Sequence, residues 1–279
     1  MNYYFLLERI YGTFFKKKPK RRHFNFEIHI SDYCNLNCKG CFHFSPLVKS
    51  GQLYPYEEFE KEIETVSKTF NGNFGWIHLL GGEPLLNKDI VKYLDCIGQN
   101  VKKGDVSLIT NGLLLTKMDD SFYESCKRNH ITIAVSEYPL DVDYKKMKEY
   151  VTSKGVKFIF FGGERKDQFS FMSLEKGHED EYKKRYLSCA ISNACVTLDH
   201  GRLYYCSASA YIRFFNEKFD ENYDNSMDSI SIYGTSKKEI LDFLRRPHPF
   251  CGYCDVKLRD SFTYPWQKSQ LNKEEWEKK

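Results

Sequence analysis

A chain of 279 residues can bury one substantial core and a smaller appendage, and a formal charge of +4 is too slight to argue for a nucleic-acid partner. Its ten cysteines are many for this length, and at least half fall into ligand-like groups, which points to metal clusters in a reducing cytoplasm rather than to disulfides. No apolar run approaches the ~20 residues that span a bilayer, and the N-terminus lacks the basic, apolar, small-residue order of a signal peptide.

Residues 1–23 form an arm, aromatic and apolar at first and then basic through KKKPKRRH. It reads either as a helix docked on the protein with a solvated linker after it, or as a peripheral contact with the anionic inner face of the membrane. From there the pattern alternates. A strand at 26–30 runs into a cysteine-bearing loop, and a helix at 57–70 presents Phe59, Ile63, Val66 and Phe70 on one face. A strand at 76–80 ends in Gly81-Gly82-Glu83-Pro84, with a helix at 88–101 behind it. A strand at 106–109 ends in Thr110-Asn111-Gly112, with a helix at 119–128. A strand at 131–135 ends at Ser136, with a helix at 141–153, and a strand at 156–161 ends in two glycines. Strand, loop and helix repeating at about thirty-residue spacing predict parallel α/β units, a partial TIM-like (β/α)5-6 barrel over residues 24–170. Functional loops of such a barrel lie at the carboxyl ends of its strands, and each motif falls there.

The first of these loops lies within FEIHISDYCNLNCKGCFHFSP, residues 26–46, and spaces Cys34, Cys38 and Cys41 as CxxxCxxC. Three thiolates on one tight loop leave one corner of an iron–sulfur cubane open to a non-protein ligand. A zinc site completed by His43 is the competing reading, although zinc loops usually pair CxxC with a distant second pair. About forty residues later, the two glycines of GGEP let backbone approach a ligand closely, and Glu83 offers a carboxylate suited to a ligand's ammonium group.

Beyond residue 163 the alternation stops and cysteines return at 189, 195, 206, 251 and 254. Residues 194–206 read as a β-hairpin turning at Asp199, His200 and Gly201. A helix at 236–246 opens with the capping box of Ser236 and Glu239, and PFCGYC places Cys251 and Cys254 on a tight turn. These elements suggest a small α+β domain over 171–260 with a four-thiolate site for zinc or iron and sulfur, then a tail at 261–279. Cys96 and Cys126 sit in helices with no cysteine nearby and read as bystanders.

CxxxCxxC and GGEP together resemble the radical S-adenosylmethionine (radical SAM) superfamily, and the later cysteines resemble its twitch/SPASM-like auxiliary domain. The resemblance implies two [4Fe–4S] clusters, one on Cys34, Cys38 and Cys41 and one on Cys189, Cys206, Cys251 and Cys254. It implies S-adenosylmethionine held by Gly81, Gly82, Glu83 and Pro84, with Asn111 and Ser136 near its ribose and methionine. Gly40 stands where the family often has an aromatic residue near the adenine, so Phe42 is expected to take that place. Twitch enzymes of the 2-deoxy-scyllo-inosamine dehydrogenase type suggest oxidation or epimerisation of a sugar- or cyclitol-like small molecule, with flavodoxin or ferredoxin as electron donor. Cys195 is left over, as an alternative ligand, a hydrogen-atom donor or a packing residue. His43, Ser45, Arg165 and Arg185 are the polar candidates to meet substrate. Two alternatives stay open: a peptide- or protein-modifying maturase, and a zinc-stabilised binding module without chemistry.

Overall fold

A computed structural model describes Phe14 and residues 23–163, 165, 167–170, 172–192 and 195–278. The expectations for the arm at 1–23 therefore lie, Phe14 and His23 apart, outside the described residues. Strand β1, Phe26–Ser31, is buried at every position. Its period of two puts Phe26, Ile28 and Ile30 on one face and Glu27, His29 and Ser31 on the other. Four further strands follow in parallel: β2 (Asn73–Gly81), β3 (Lys103–Thr110), β4 (Thr132–Val135) and β5 (Phe158–Phe160). The connecting helices are α1 (Tyr56–Phe70), α2 (Ile90–Asn100), α3 (Asp120–Arg128) and α4 (Tyr144–Ser153). Asp119 and Asp143 cap α3 and α4 by accepting the amides of Phe122 and Lys146. Each strand of the predicted barrel is present, β2 and β3 beginning three residues earlier than the apolar pattern suggests. Cys96 and Cys126 are buried on α2 and α3, as core residues.

The later elements are β6 (Gln168–Ser170), α5 (Tyr182–Ser188), β7 (Thr197–Asp199), β8 (Arg202–Tyr204), α6 (Ser207–Phe219), β9 (Ser229–Ser231), α7 (Lys237–Leu244), α8 (Val256–Ser261) and β10 (Thr263–Pro265). β7 lies parallel to β1 on the edge opposite β2, and β8 and β9 add antiparallel, so one sheet runs β5-β4-β3-β2-β1-β7-β8-β9. The β7–β8 hairpin thus joins the barrel sheet directly. It is pinned to α1 by buried Glu62, which accepts the Tyr54 hydroxyl at 2.9 and 3.0 Å and the Gly201 amide.

α6 is absent from the sequence-based reading. It begins directly after Cys206, which gives no side-chain cap, and buries eight of its residues, so it carries neither a start signal nor a polar face. The residues at 261–279 are no loose tail either: β10 pairs antiparallel with β6, and Trp276 is completely buried beside Phe44 and Phe219. Among the described residues no helix is long and apolar enough to cross a membrane.

Candidate active site

The carboxyl ends of β1 and β2 are laced together. The amide of Gly82 donates to Ser31 O at 2.8 Å and that of Glu83 to Tyr33 O at 3.0 Å. A Cβ on Gly81, whose φ is +153°, would lie 2.0 Å from Ser31 O, and one on Gly82 2.2 Å from Tyr33 O. The glycines are therefore needed for strand-to-loop approach, and this fixes where the cysteine loop begins.

Glu83, the carboxylate of GGEP, sits where β2 meets β3. It is completely buried and accepts the Leu85 amide at 3.0 Å, the Thr110 hydroxyl at 2.6 Å and the Asn111 amide at 2.8 Å. Burial pushes its carboxyl up to about 7, with the three hydrogen bonds opposing. Its oxygens tie β2 to β3, and neither it nor buried Pro84 is among the residues that line the adjoining cavity.

That cavity, about 420 Å³, is walled by all three loop cysteines together with Phe42, Gly81, Gly82, Asn111 and Ser136. Asn111 is oriented by a 2.8 Å hydrogen bond to Asn35 on the cysteine loop. The other walls are Trp76 and His78 on β2, Glu27 on β1 and, from the later part of the chain, Cys195 and Ser207. Trp76 stacks on His78 with ring centroids 4.0 Å apart. Glu27 accepts the Thr197 hydroxyl at 3.0 Å, and burial pushes its carboxyl up to about 7.

His43 and Ser45 also line the cavity. His43 is the end of a buried chain: its Nδ1 lies 2.7 Å from His29 Nε2, and His29 Nδ1 lies 2.7 Å from Asp32 Oδ1. Asp32 is a pure acceptor when ionised, so it fixes a proton on His29 Nδ1, and with both rings neutral His29 Nε2 accepts from His43 Nδ1–H. Tyr211 on α6 stacks against His29 at 3.9 Å and holds the pair in plane.

Arg165 and Arg185 do not belong to this site. Arg165 is half exposed and paired with Asp167 at 2.7 Å. Arg185 is tied to Glu175 at 2.6 Å and to the Gly252 carbonyl at 3.2 Å, and so braces the PFCGYC turn. Charge alone suggested both residues, and their own carboxylate or carbonyl partners claim them.

Four later cysteines, Cys189, Cys206, Cys251 and Cys254, line a second, smaller cavity, and Cys195 is left on the first. Buried Arg259 donates to Cys189 Sγ at 3.2 Å and the Ser192 amide does so at 3.3 Å. Cys206 stands at the start of α6 within reach of the Ala208 and Ser209 amides. A buried guanidinium and a helix N-terminus both favour thiolate over thiol. Among the described residues no three His, Cys, Asp or Glu side chains converge as they would on a single metal ion.

The sequence reading missed the C-terminal residues that cover the cysteine loop. The Trp266 indole N–H donates to Cys38 Sγ at 3.1 Å, the Tyr264 hydroxyl to Lys39 O at 2.7 Å, and the Trp276 indole to Cys41 O at 2.9 Å. Gly40, at φ +61°, makes room for this cover, since a Cβ there would meet the Tyr264 hydroxyl at 2.6 Å. Two tryptophans and a tyrosine in a short tail were the one signal available.

Residues 28–136 match the family model described as the Radical SAM superfamily. A stretch of 160 residues is 27% identical to the probable GTP 3',8-cyclase of Methanococcus vannielii, covering 54% of this chain and 50% of that protein. The GTP 3',8-cyclase of Heliobacterium modesticaldum is 34% identical over 92 residues, 32% of this chain and 27% of that protein. The chain thus covers half or less of the length of these curated relatives. A solved structure, native anSMEcpe with bound AdoMet, matches with a TM-score of 0.50 and 16% identity over 78% of this chain and 81% of that one, a likeness of fold. The donor set fits an iron–sulfur group: Cys34, Cys38 and Cys41 all open onto one cavity, and three sulfurs on one loop are the ligand type such a cluster takes.

Proposed function

Because residues 28–136 match the Radical SAM superfamily model, we propose that the chain takes a hydrogen atom from a sugar- or cyclitol-like small molecule and so oxidises or epimerises it. Cys34, Cys38 and Cys41 would hold the [4Fe–4S] cluster, with AdoMet beside Gly81, Gly82, Phe42, Asn111 and Ser136. When bound, cluster and AdoMet supply the hydrogen-abstracting radical; the protein supplies position and exclusion of water. The observation that carries the substrate class is the make-up of the remaining walls. Glu27, His78 and Ser207 offer hydrogen-bonding groups suited to hydroxyls, while Trp76 offers an aromatic face to the C–H side of a ring. Glu27 is the wall group suited to hold a substrate proton, since burial pushes its carboxyl up to about 7, whereas burial pushes His43 down to about 3 and leaves it a neutral hydrogen-bonding group. Cys195 stands where a thiol could return a hydrogen atom to a substrate carbon.

Cys189, Cys206, Cys251 and Cys254 would hold a second [4Fe–4S] cluster able to accept an electron. Buried Arg259, whose Nη1 donates to Cys189 Sγ, supports this reading, since a cation beside sulfur suits a cluster that gains negative charge on reduction. A small flavodoxin- or ferredoxin-like protein would deliver the reducing electron. The relatives named GTP 3',8-cyclase favour a second reading, in which the same cavity takes a purine nucleotide.

The test is anaerobic reconstitution followed by incubation with dithionite, AdoMet and, in separate reactions, an aminocyclitol, GTP and a cysteine-containing peptide. Release of 5′-deoxyadenosine stimulated by the aminocyclitol, with deuterium from D2O found at carbon only in an epimerised product, is the expected result. Stimulation by GTP alone would transfer the reading to the nucleotide, and zinc without iron would remove the enzyme reading altogether.

A further inference from the structure

Among the groups in contact with the three loop sulfurs, one comes from the far end of the chain and is used by nothing described so far. Trp266 lies one residue beyond β10, and its indole Nε1–H points to Cys38 Sγ at 3.1 Å. Its placement is built rather than incidental. β10 is fixed by antiparallel pairing of Tyr264 with Phe169 and Pro265 with Gln168. The chain then runs along the cysteine loop as a short antiparallel bridge, with Lys39 N donating to Gln267 O at 3.0 Å and Ser269 N to Asn37 O at 2.8 Å. Glu275 clamps the following turn by accepting the Ser269 hydroxyl at 2.6 Å and the Gln270 amide at 2.7 Å. Trp276 is buried completely and closes the segment onto Cys41 O. The backbone that carries the indole is therefore held beside the sulfur by this ladder.

We propose that residues 263–276 are a strap over the cysteine loop, and that Trp266 is a positioning residue that sets the reduction potential of the iron–sulfur group held there. The inference rests on Cys34, Cys38 and Cys41 being the cluster ligands. An N–H donor to a ligating thiolate withdraws electron density from the sulfur and stabilises the more negative, reduced cluster, so the potential rises. The couple is a single electron accepted from an external low-potential reductant, and no bond to Trp266 is made or broken. Tyr138, whose ring centroid lies 6.2 Å from that of Trp266, is a second side chain in hydrogen-bonding reach of Cys38.

The experiment is a potentiometric titration of the full-length, anaerobically reconstituted protein, followed by the electron paramagnetic resonance of the reduced AdoMet-site cluster without substrate. Variants lacking Cys251 and Cys254 simplify the signal. Trp266→Phe removes the N–H and keeps an aromatic ring; benzothienylalanine in place of Trp266 removes it with the bicyclic shape intact, and covers the case in which the phenylalanine variant packs poorly. Both are expected to bind full iron and to shift the midpoint to more negative potential. Trp276→Phe, which loses a bond to a carbonyl rather than to sulfur, is expected to keep the wild-type midpoint. An unchanged midpoint in either iron-loaded position-266 variant overturns the proposal. So does an equal shift in Trp276→Phe, which would make the effect one of general loosening. Wild-type protein that takes up no iron overturns the ligand assignment itself, which iron analysis before the titration separates from the other outcomes.

Discussion

Gly82 and Ser31 meet backbone to backbone, amide to carbonyl at 2.8 Å, where β2 ends and the cysteine loop begins. The Cβ of an alanine at Gly82 would lie 2.2 Å from the Tyr33 carbonyl oxygen and 2.8 Å from that of Asp32, both main-chain atoms with no rotamer to yield. Gly82→Ala is expected to cost about 2–3 kcal/mol, in the range of overpacked cores, and to displace the loop that presents Cys34. A thermal melt together with iron analysis after reconstitution checks this. A wild-type melting temperature with full iron would show that the loop has slack the structure does not suggest.

Glu62 gives the fold a pH dependence whose sign can be fixed. It is completely buried, and burial pushes its carboxyl up to about 7, against the pull of the Gly201 amide and Tyr54 hydroxyl. A carboxyl that holds its proton more tightly folded than unfolded adds stability that is full below its ordinary value of 4.5 and is lost as pH rises through about 7. Glu62→Gln cannot ionise, so its stability should change less between pH 4.5 and 7.5, by on the order of 2 kcal/mol. Glu27 and Glu83 are pushed up in the same direction, but both remain in the variant, so the difference isolates position 62. Urea unfolding of both proteins at the two pH values decides it, and parallel pH profiles would refute the account.

The two cysteine sets predict separable losses. Alanine at Cys34, Cys38 and Cys41 should remove about half of the iron, as expected for one of two similar clusters, and abolish AdoMet cleavage. Alanine at Cys251 and Cys254 should remove the other half, leave dithionite-driven cleavage of AdoMet in place, and stop oxidation of substrate. Iron quantification and 5′-deoxyadenosine assays on the two variants measure both effects. Retained cleavage in the first variant would end the assignment of Cys34, Cys38 and Cys41.

Where the sequence carried a periodic or spaced signal, the fold could be read from it. Phe59, Ile63, Val66 and Phe70 mark α1 because one face of that helix is wet, and the apolar stretches before GGEP and TNG mark β2 and β3 because alternate residues there, Ile77 and Leu79, Val106 and Leu108, are buried. α6 gave no such contrast, being buried nearly all round. The strap could not be read for a different reason. Trp266 and Tyr264 act on residues more than two hundred positions away, and nothing local to either partner records the pairing. The hydrogen bonds of Glu83 are not legible either, because a motif shows that a carboxylate is present but not which donors reach it. Here Thr110 and the Asn111 amide do.

The arginines show how partners, not charge, separate surface from site. Arg165 pairs with Asp167 on an exposed segment, each side chain about half accessible, and such pairs contribute little because water and salt already stabilise both charges. Arg165→Ala is expected to leave the melting temperature, iron content and AdoMet cleavage at wild-type values, with a stability change within about 0.5 kcal/mol. Arg259 is 4% exposed; it donates from Nη1 to Cys189 Sγ, and from Nε and Nη2 to Asp260 at 2.9 and 2.8 Å, so a guanidinium anchored by a carboxylate is held against sulfur. Arg259→Gln would leave the thiolates of the second cavity without that buried cation. Its expected outcome is loss of about half of the iron and of substrate oxidation, with AdoMet cleavage retained, the same pattern as loss of Cys251 and Cys254. Iron content and the two activity assays, run side by side on Arg165→Ala and Arg259→Gln, are the check. Full iron in the Arg259 variant would show that the guanidinium packs against the sulfur without supporting it.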